Sequence, residues 1–500
     1  MKRALISVYD KEKIEIISSV LAKTGWEIIS TGGTAAYLKD RGIPVTEVSS
    51  ITNFPEILDG RVKTLHPLIF GPVLAKKTAE HLRQLREFRS SKIDLVIINF
   101  YPFAAALEKH AGDLDAMLEN IDIGGPALVR AAAKNFKDTL VLIDEKDHAA
   151  VIAAIESNSD IPLEQRKQLA QKAFAYTSFY DSLIASYLGA GLSAHPDFMT
   201  IGGRRAQSLR YGENPHQSAF LAVSDRRSPF YAIDQLHGKA LSFNNILDLA
   251  MVYELLNEFQ GKRHFAAIAK HQNPCGAALA AAQLPAFQNA FAGDPRSAYG
   301  GIVGFNHRLE PETAAALGEI FFEVIIAPDF AAEALSILRR KKNLRLIRMP
   351  AGYVEKADFK TIPGGFVYQS RDNMSTDVET FELKSGEPLS KKEKGDVAFG
   401  WKIIKFVKSN GIIIVKNLTL IGVGAGQASR IDAVDLAMRK SQSPLAGAVL
   451  LSDAFFPFPD SIELAAKNKI AVVVEPGGSV KDPEVILAAQ QHGLSLLFTG

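Results

Sequence analysis

Short apolar runs alternate with amphipathic segments along the first third of the chain. The runs have the length of strands, and the segments between them have the apolar spacing of helices. The predicted strands are residues 4–8, 26–30, 94–99 and 140–144, and the predicted helices include 11–24 and 35–41. Alternation of this kind predicts a parallel sheet with helices on both faces. Active sites in such sheets form at the carboxyl ends of the strands, where polar clusters follow Val8, Ile29 and Ile98.

A long predicted helix and a stretch rich in glycine and proline divide the chain. The helix covers residues 164–188, and the stretch begins directly after it. We therefore predict two domains, residues 1–195 and residues 196–500. The second domain is again α/β and contains two subdomains, although no internal repeat is visible in the sequence. Its predicted strands are residues 266–269, 301–305, 411–416, 448–451 and 471–474, and its predicted helices include 311–323 and 433–440.

The composition of the chain argues against several kinds of partner and site. The 57 Lys and Arg residues nearly balance 55 Asp and Glu residues, so no global basic field favours a nucleic-acid partner. Cys275 is the single cysteine, which excludes an intramolecular disulfide framework and a multi-cysteine metal site. Because the amino terminus lacks a signal-peptide core and the longest apolar runs are strand-sized, we expect a cytoplasmic protein without a membrane partner.

Polar motifs follow the predicted strands of the first domain. Residues 30–34 (STGGT) join a strand to a helix, so they either bind a phosphate or form a tight capped turn. Residues 59–67 (DGRVKTLHP) concentrate Arg61, Lys63 and His66, which indicates a bound anion unless the segment is an exposed basic loop. In residues 121–126 (IDIGGP), the amides of Gly124 and Gly125 suit a substrate oxyanion.

Three further side chains in this domain have two interpretations each. Tyr101, in the sequence NFYPF, either points its phenol into a cleft or packs against the core. Asp122 and Lys134 either act on a ligand or form a structural ion pair, with Lys134 on a predicted helix one turn beyond Arg130. The residue types alone leave these alternatives open.

The motifs STGGTA, LDGRVKTLHP, NFYPF and DIGGPALVRAAAKN resemble, in this order and spacing, the inosine monophosphate (IMP) cyclohydrolase domain of the PurH family of bifunctional purine-biosynthesis enzymes. The resemblance implies a methylglyoxal-synthase-like fold that closes the purine ring of formylated aminoimidazole carboxamide ribotide (FAICAR) with loss of water. It implies that Lys63, Tyr101, Asp122 and Lys134 surround the reacting groups. The residues implied to hold the nucleotide, chiefly its phosphate, are Ser7, Lys11, Ser30, Thr31, Gly32, Gly33, Thr34, Arg61, Thr64 and His66.

The first domain departs from the family pattern at several positions. Tyr9 stands where the family has a second serine, and Asn53 replaces the glycine of Thr-Gly-Phe-Pro. Phe70 and Pro72 lie where the family continues, after His-Pro, with a second histidine and a small residue. A larger, more apolar or stiffer pocket wall is therefore expected, and the cyclohydrolase activity is the one these departures would reduce.

The second domain carries a comparable set of motifs. Residues 209–217 (LRYGENPHQ) contain Arg210, suited to phosphate or carboxylate, and Tyr211, suited to stacking. Asn245 either caps a helix or contacts a ligand. Residues 268–276 place Lys270 beside His271 at a strand end, where the positive charge favours a neutral imidazole suited to a general base, unless the pair is a capping histidine and a surface lysine.

Two other sequence features of this domain suggest ligands that we discount. Pro274-Cys275 begins a zinc-deaminase signature, but residue 278 is alanine, so we expect no metal and a packed Cys275. The glycines of residues 422–426 resemble a dinucleotide-binding turn, but Gln427 replaces the last glycine of the motif. The aromatic run 455–458 either packs in the core or forms a stacking wall for a flat heterocycle.

Together these motifs resemble the transformylase half of the same family. The resemblance implies a tandem cytidine-deaminase-like fold without metal, which transfers a formyl group from 10-formyltetrahydrofolate to the 5-amino group of aminoimidazole carboxamide ribotide (AICAR). His271 is the implied base, and Lys270 and Asn410 are the implied assisting groups. The implied nucleotide- or substrate-binding residues are Arg210, Tyr211, Asn245, Glu323 and Arg430, and the implied folate-site residues are Phe455, Pro457 and Phe458. The family also implies a homodimer with transformylase sites at the subunit interface.

The sequence therefore predicts a bifunctional enzyme of IMP synthesis acting on nucleotide and folate substrates. Two alternatives stay open, a transformylase with an impaired cyclohydrolase domain and a non-catalytic purine-nucleotide-binding protein. Family members commonly continue past the Phe-Thr-Gly at which this sequence ends with Gly500, into a short tail that contains an arginine. Loss of one such phosphate contact costs about 1.5–3 kcal/mol, so we expect weaker ribotide binding.

Overall fold

The structure, a computed structural model, describes residues 1–58, 61–191, 196–374 and 377–500. It divides into two units, the first formed by Met1–Arg204 with Val223–Arg226 and the second by Arg205–Ala222 with Arg227–Gly500. The predicted domain boundary abuts residues 192–195, which lie outside the described residues, and it stays a prediction. Part of the predicted anion-binding motif, residues 59–60, also lies outside them.

The first unit contains a five-stranded sheet. Its strands are β1 (Arg3–Val8), β2 (Glu27–Ser30), β3 (Thr46–Glu47), β4 (Leu95–Asn99) and β5 (Leu140–Leu142). All neighbouring pairs are parallel, in the order β3-β2-β1-β4-β5, which confirms the predicted parallel sheet. Val8 lies opposite Asn99, so β1 and β4 end side by side. The strand order reverses there, and this is where ligands bind in open α/β sheets.

Helices cover both faces of this sheet. They are α1 (Ile14–Lys23), α2 (Gly32–Lys39), α3 (Val48–Thr52), α4 (Pro67–Leu74), α5 (Ala79–Glu87), α6 (Phe103–His110), α7 (Leu114–Glu119), α8 (Gly124–Lys134), α9 (His148–Glu156) and α10 (Leu163–Leu188). Alternate residues of β1 join different apolar clusters, Leu5 on one face and Ala4 and Ile6 on the other. Burial on both faces explains why the strands read as continuous apolar runs. None of the described helices is both long and apolar enough to cross a membrane.

The second unit is built on a twelve-stranded sheet. The strands of this part of the chain are β6 (Arg204–Ser208), β7 (Phe220–Val223), β8 (Asp234–His237), β9 (His264–Lys270), β10 (Asn273–Ala280), β11 (Ile302–Phe305), β12 (Val324–Ala327), β13 (Arg345–Arg348), β14 (Ala357–Ile362), β15 (Gly365–Ser370), β16 (Glu382–Ser385), β17 (Ile412–Lys416), β18 (Thr419–Gly424), β19 (Val449–Ser452), β20 (Val472–Glu475) and β21 (Ser495–Phe498). The order of the large sheet is β16-β21-β20-β19-β17-β18-β10-β9-β11-β12-β13-β8. Strands β6 and β7 form one small sheet, and β14 and β15 form another.

The helices of the second unit cover its large sheet and connect its strands. They are α11 (Phe243–Asn257), α12 (Gln283–Gly293), α13 (Pro295–Ala298), α14 (Pro311–Gly318), α15 (Ala332–Leu338), α16 (Lys391–Ile404), α17 (Arg430–Lys440), α18 (Asp460–Lys467) and α19 (Asp482–Gln491). The predicted helix 311–323 ends five residues early, because residues 319–323 lead into the buried strand β12.

The large sheet consists of two similar halves. The half from β8 to β13 and the half from β16 to β21 have the same sequence of strands and the same neighbours, and they join where β10 pairs with β18. Each half contains a hairpin, β9–β10 or β17–β18, that follows its first long helix. The tandem architecture implied by the family resemblance is therefore present, although no repeat is visible in the sequence.

Candidate active sites

The first candidate site lies at the ends of β1 and β4. The side chain of Asn99 accepts amide protons from Tyr9 (2.5 Å) and Asp10 (3.2 Å), and its own amide group donates to the Asp10 carbonyl (3.0 Å). Lys11 Nζ donates to the Tyr9 carbonyl (3.1 Å) and lies near Gly33 at the start of α2. Asn99 thus holds the loop that presents the Lys11 ammonium to a helix amino terminus.

The predicted phosphate turn, residues 30–34, contains both buried and exposed groups. The Ser30 hydroxyl donates to a β1 carbonyl (2.6 Å), and the Thr34 hydroxyl both accepts from and donates to the backbone of Val8 (3.1 and 2.9 Å). These contacts fit the structural interpretation of the two residues. The Thr31 hydroxyl lies 3.4 Å from that of Ser7, and Gly32 is exposed at the start of α2. The groups suited to an anion are therefore the glycine amides and Lys11. The Glu56 carboxylate lies at the same turn, where its Oε1 would be 3.4 Å from a Cβ at Gly32, so a bound anion would displace it.

Asp122 is the centre of the second group of polar residues. Its Oδ1 accepts the amide proton of Gly125 (2.8 Å), and it also accepts from the Tyr101 amide, with Lys63 nearby. Burial raises the pKa of this carboxyl, against the opposing effects of the two amides and the lysine charge. A Cβ at Gly125 would lie 2.5 Å from Oδ2 of Asp122. The Gly125 amide therefore donates to Asp122, and its predicted role as a donor to a substrate oxyanion stays a prediction.

Lys63 and Thr64 reach this group, whereas Arg61 and His66 have other partners. A Cβ at Gly124 would lie 2.9 Å from the Thr64 hydroxyl, which places that buried hydroxyl at the start of α8. Arg61 is exposed and forms an ion pair with Glu119. His66 accepts the amide proton of the residue two positions later through Nδ1 and so caps α4.

Lys134 is separated from the other predicted catalytic residues within one chain. It ends α8, ten residues after Gly124, which corresponds to about 15 Å along a helix. Its exposed side chain lines a groove together with Arg130, Lys167 and Phe174. The structure brings Lys63, Tyr101 and Asp122 together but not Lys134.

The departures from the family pattern have specific structural roles. The Tyr9 ring packs edge-on against Tyr101, with the ring centroids 5.7 Å apart. Asn53 has a φ of 51° at the end of α3, a left-handed conformation that glycine and asparagine accept. Phe70 packs against the apolar core, and Pro72 is buried within α4.

The second unit presents Lys270 and His271 at the tip of a hairpin. Lys270 ends β9, and its Nζ donates to the Tyr299 carbonyl (2.7 Å). His271 and Gln272 form the two-residue turn to β10, with φ values of 54° and 56°. His271 is exposed. Strand β10 is a difference from the sequence prediction, which ended β9 in a turn and found no returning strand.

A second loop approaches this hairpin from the other half of the sheet. The Lys408 amide donates to the side chain of Asn273 (3.2 Å), two residues after His271. Asn410, two residues after Lys408, donates through Nδ2 to the carbonyl of Gln427 (2.9 Å). The hairpin tip and the loop that carries Asn410 therefore lie side by side.

Arg430 is buried and engaged by protein groups. Its Nη2 donates to Oδ1 of Asn410 (2.8 Å), and its Nη1 donates to Oδ1 of Asp453 (2.5 Å) and to the Gly411 carbonyl (3.1 Å). It is only 6% exposed, and its Nε has no partner among the described residues. The guanidinium thus orients Asn410, and the expected contact between Arg430 and the nucleotide stays a prediction.

Arg210, Tyr211 and Asn245 meet at the start of α11. The amide of Arg210 donates to the carbonyl of Leu241, close to the first turn of that helix, and its guanidinium lies 5.4 Å from the Tyr211 ring. Asn245 and Ser242 form a reciprocal capping box at 3.1 and 3.3 Å. Asn245 therefore serves as a cap, one of its two predicted roles, and Arg210 is exposed beside it.

The remaining predicted residues of this unit are of two kinds. Glu323 is paired with the buried Arg345 (2.5 Å), so this acid is held in place by an internal cation. In the aromatic run, Phe455 and Phe458 are 43% and 57% exposed and Pro457 is half-buried, whereas Phe456 is fully buried. The run thus combines a packed anchor with two exposed rings that suit a stacking wall.

Cys275 is packed within the sheet. It is buried, its thiol lies 3.5 Å from the Ile268 carbonyl, and burial raises its pKa to about 12. Within the described residues, no three histidine, cysteine, aspartate or glutamate side chains are grouped closely enough to hold a metal ion.

Several residues that contact the sites were missed by sequence reasoning. Asn99 is the last residue of a predicted strand and the first of the motif NFYPF, which was a usable signal. Tyr180, on a helix distant in sequence, accepts the Asp122 amide proton (2.8 Å). Asp453, the residue after β19, forms an ion pair with Arg430. Asp248 is the one acidic residue in an otherwise apolar stretch of α11, and that position was the only signal in the sequence.

Comparison with known proteins agrees with this geometry. The family model of the AICARFT/IMPCHase bienzyme matches residues 132–440, and that of the MGS-like domain matches residues 14–127, which confirms the predicted fold of the first domain. The "Bifunctional purine biosynthesis protein PurH" of Thermoanaerobacter sp. (strain X514) is 45% identical over 100% of this chain and 98% of its own length. The proteins of the same name from Persephonella marina and Caldicellulosiruptor saccharolyticus are each 44% identical, with the same coverage.

A solved structure, "Crystal structure of ForH", is 35% identical over 39% of this chain and 100% of its own, with a TM-score of 0.36. That score is too low to add to the fold assignment. The sequence relatives match the chain from end to end, and none of them favours a transformylase-only or non-catalytic protein. The chain therefore belongs to the family of the bifunctional purine biosynthesis protein PurH, the AICAR formyltransferase and IMP cyclohydrolase bienzymes.

Proposed function

We propose that the second unit transfers the formyl group and the first unit closes the ring. The observation that carries the proposal is the pair of separate polar groups, Lys270 and His271 on one hairpin tip and Asp122 with Lys63 and Tyr101 at one sheet edge. A folate-type co-substrate follows from the family, and we propose 10-formyltetrahydrofolate in particular. Its pterin would stack between the exposed rings of Phe455 and Phe458.

In formyl transfer, the 5-amino nitrogen of AICAR attacks the formyl carbon. This amine is a weak nucleophile because its lone pair is delocalised into the imidazole carboxamide. We assign its proton to the imidazole of His271, which accepts the proton as the new C–N bond forms. The bond between the formyl carbon and the folate nitrogen then breaks, and the leaving nitrogen takes a proton from Lys270. Asn410 is the proposed group for the charge that develops on the formyl oxygen. Its Nδ2 donates to the carbonyls of Gln427 and Ala428, so it would exchange one of these hydrogen bonds for the formyl oxygen.

In ring closure, the carboxamide nitrogen of FAICAR attacks its own formyl carbon, and water leaves. Because the attack is intramolecular, orientation and charge stabilisation are the main requirements. The Lys63 ammonium would stabilise the oxyanion. Asp122, held by the amides of Gly125 and Tyr101, would take the proton that the attacking nitrogen loses and pass it to the departing oxygen, so that water leaves.

Lys134 stays a predicted contributor to ring closure whose place in the site is untested. Its position at the far end of α8 excludes direct contact with Asp122 of the same chain through helix geometry alone. The phosphate of the nucleotide would bind at the start of α2, where Gly32, Gly33 and Lys11 offer amides and a cation. In the second unit, Arg210 and Tyr211 are the proposed nucleotide contacts.

We further propose that the chain is a homodimer. The hairpin β14–β15 is exposed over all of β15 and the last four residues of β14. Its exposed apolar residues include Phe359, Phe366, Val367 and Tyr368. Such a surface favours an interface. Replacing Val367 with aspartate should convert the dimer to monomer in light scattering, whereas the same change at exposed Thr361, which is polar, should not. The cytoplasmic location predicted from the sequence stays a prediction.

The test is a split assay on the full chain. One reaction supplies AICAR with 10-formyltetrahydrofolate and follows release of tetrahydrofolate, and the other supplies FAICAR and follows IMP. His271→Asn should abolish the first reaction and keep the second, and Asp122→Asn should do the reverse. If either folded variant loses both activities, or neither, the assignment of one reaction to each unit is wrong.

A further inference from the structure

Asp248 binds the hairpin tip that carries the proposed base. This side chain on α11 is 8% exposed, and both of its carboxylate oxygens accept protons from the turn. Oδ2 accepts from the His271 amide at 3.1 Å, and Oδ1 accepts from the Gln272 amide at 2.6 Å. Both central residues of the turn are therefore tied to one buried carboxylate, which we name the clamp.

The turn needs such a partner because of its backbone conformation. His271 and Gln272 both have positive φ, as in a type I′ hairpin turn, for which asparagine and glycine are the favoured residues. Residues with larger side chains disfavour the left-handed region. Two charge-assisted hydrogen bonds from the turn amides to the buried Asp248 stabilise the conformation that His271 would otherwise leave.

The second half of the sheet repeats the clamp without the base. Asp396 accepts the amide protons of Asn417 (3.0 Å) and Leu418 (2.6 Å), the two turn residues of hairpin β17–β18. Both of those residues also have positive φ. Asp248 and Asp396 are each the sixth residue of their helix, and each helix begins with a capping box. The two carboxylates thus have the same fold role, and only the first lies beneath a proposed catalytic residue.

We propose that Asp248 is a positioning residue for formyl transfer, because it fixes the backbone from which His271 projects. It lies three residues after Asn245 on α11, so one helix turn connects the clamp to the proposed nucleotide contacts Arg210 and Tyr211. The inference rests on the proposed role of His271. Asp396 supplies a matched control that has the same hydrogen bonds and no catalytic neighbour.

The experiment compares Asp248→Asn with Asp396→Asn in the full chain. Each change keeps the shape of the side chain and removes one acceptor for an amide. We expect similar losses of thermal stability in both variants. Asp248→Asn should also lower kcat for formyl transfer about 10- to 100-fold, with the KM for AICAR changed less and ring closure unchanged, because small displacements of a catalytic group cost rate. Asp396→Asn should keep kcat.

A glycine rescue separates positioning from general stability. Gln272→Gly favours the turn without the clamp, so it should restore much of the lost kcat in the Asp248→Asn background. Leu418→Gly in the Asp396→Asn background is the matched control, which should restore stability alone. If Asp248→Asn does not fold, the double variants Asp248→Asn/Gln272→Gly and Asp396→Asn/Leu418→Gly are compared in its place. The measured quantities are again the kcat for formyl transfer and the thermal stability.

Two results would overturn the inference while leaving the proposed function intact. One is an unchanged kcat in Asp248→Asn, and the other is an equal fall in kcat in both aspartate variants. A wild-type chain without formyl transfer, or a His271→Asn variant that keeps it, would overturn the proposed function and the inference together.

Discussion

Arg430 donates to Asn410 across 2.8 Å, so the cation predicted to bind substrate orients an amide predicted to assist formyl transfer. The same guanidinium holds Asp453 at 2.5 Å, and both partners of this ion pair are largely buried. A single side chain thus links the start of α17, the loop before β17 and the end of β19. We propose that it acts in formyl transfer through the position of Asn410.

Arg430→Met should destabilise the protein by about 3–5 kcal/mol, because it leaves the Asp453 carboxylate buried without its cation. It should also lower kcat for formyl transfer through the loss of Asn410 orientation. Urea denaturation and the formyl-transfer assay measure the two effects. Arg439→Met, on the same helix, removes an exposed ion pair with Asp435 and should change stability by less than about 1 kcal/mol. Equal effects of the two changes would contradict this account.

Gly125→Ala should reduce ring closure about 100-fold, because a methyl group there would lie 2.5 Å from Oδ2 of Asp122 and displace the carboxylate. Formyl transfer should be unchanged. Gly112→Ala is the control, since a Cβ at Gly112 has no neighbour within 4 Å among the described residues. Assaying FAICAR conversion in both variants tests the prediction, which fails if Gly125→Ala retains wild-type ring closure.

Tyr9→Ser, which introduces the residue usual in the family, should slow ring closure by a few-fold. The edge-on contact between Tyr9 and Tyr101 contributes about 0.5–1.5 kcal/mol beyond buried area, and its loss lets Tyr101 move. Tyr9→Phe keeps the ring and should keep the rate. Faster ring closure in Tyr9→Ser would show instead that Tyr9 obstructs the site, as the family comparison of the pocket wall suggested.

Glu475→Gln should change how stability depends on pH. Burial raises the pKa of Glu475 from 4.5 to about 7, although its Oε2 accepts the Phe456 amide proton. The neutral native carboxyl stabilises the fold fully below pH 4.5, and this contribution falls as the pH rises to 7. The variant lacks that fall, so its stability relative to wild type should rise by up to about 3 kcal/mol between these pH values.

Chemical denaturation at about pH 5, 6, 7 and 8 measures this difference across the range in which the carboxyl ionises. Glu463→Gln is the control, because Glu463 is exposed on the neighbouring helix α18. Parallel curves for wild type and Glu475→Gln would contradict the raised pKa. Glu475 accepts the Phe456 amide proton, and the neighbours of Phe456 in sequence, Phe455 and Pro457, belong to the proposed folate site. The KM for the folate should therefore change over the same pH range.

Much of the fold was predictable because buried strands leave a local signal. The runs that became β1, β4 and β17 are continuous and apolar, and their predicted ends differ from the observed ones by at most one residue. Strand β10 was missed because Pro274 and Gly276 disfavour a strand. It forms nevertheless, since pairing with β9 on one side and β18 on the other overrides local preference.

The types of residue in the candidate sites could be predicted from the sequence, but their hydrogen-bond and ion-pair partners could not. Lys270, His271 and Asp122 were recognisable from motifs that adjoin them in sequence. The role of Arg430 depends on Asp453, 23 residues away, and no local pattern joins the two. The clamp was hidden for the same reason, because the hydrogen-bonding atoms of its turn are backbone amides, which every sequence contains.

The duplicated sheet has a consequence for the continuity of the chain. Among the described residues, every strand of the twelve-stranded sheet lies in either 234–348 or 382–498, and each half is unbroken in sequence. The described part of the intervening segment contributes its own hairpin and no strand to that sheet. If the chain were cleaved within this segment, every strand of the twelve-stranded sheet could keep its neighbours. The pairing of β10 with β18 would then join the two fragments in place of a peptide bond.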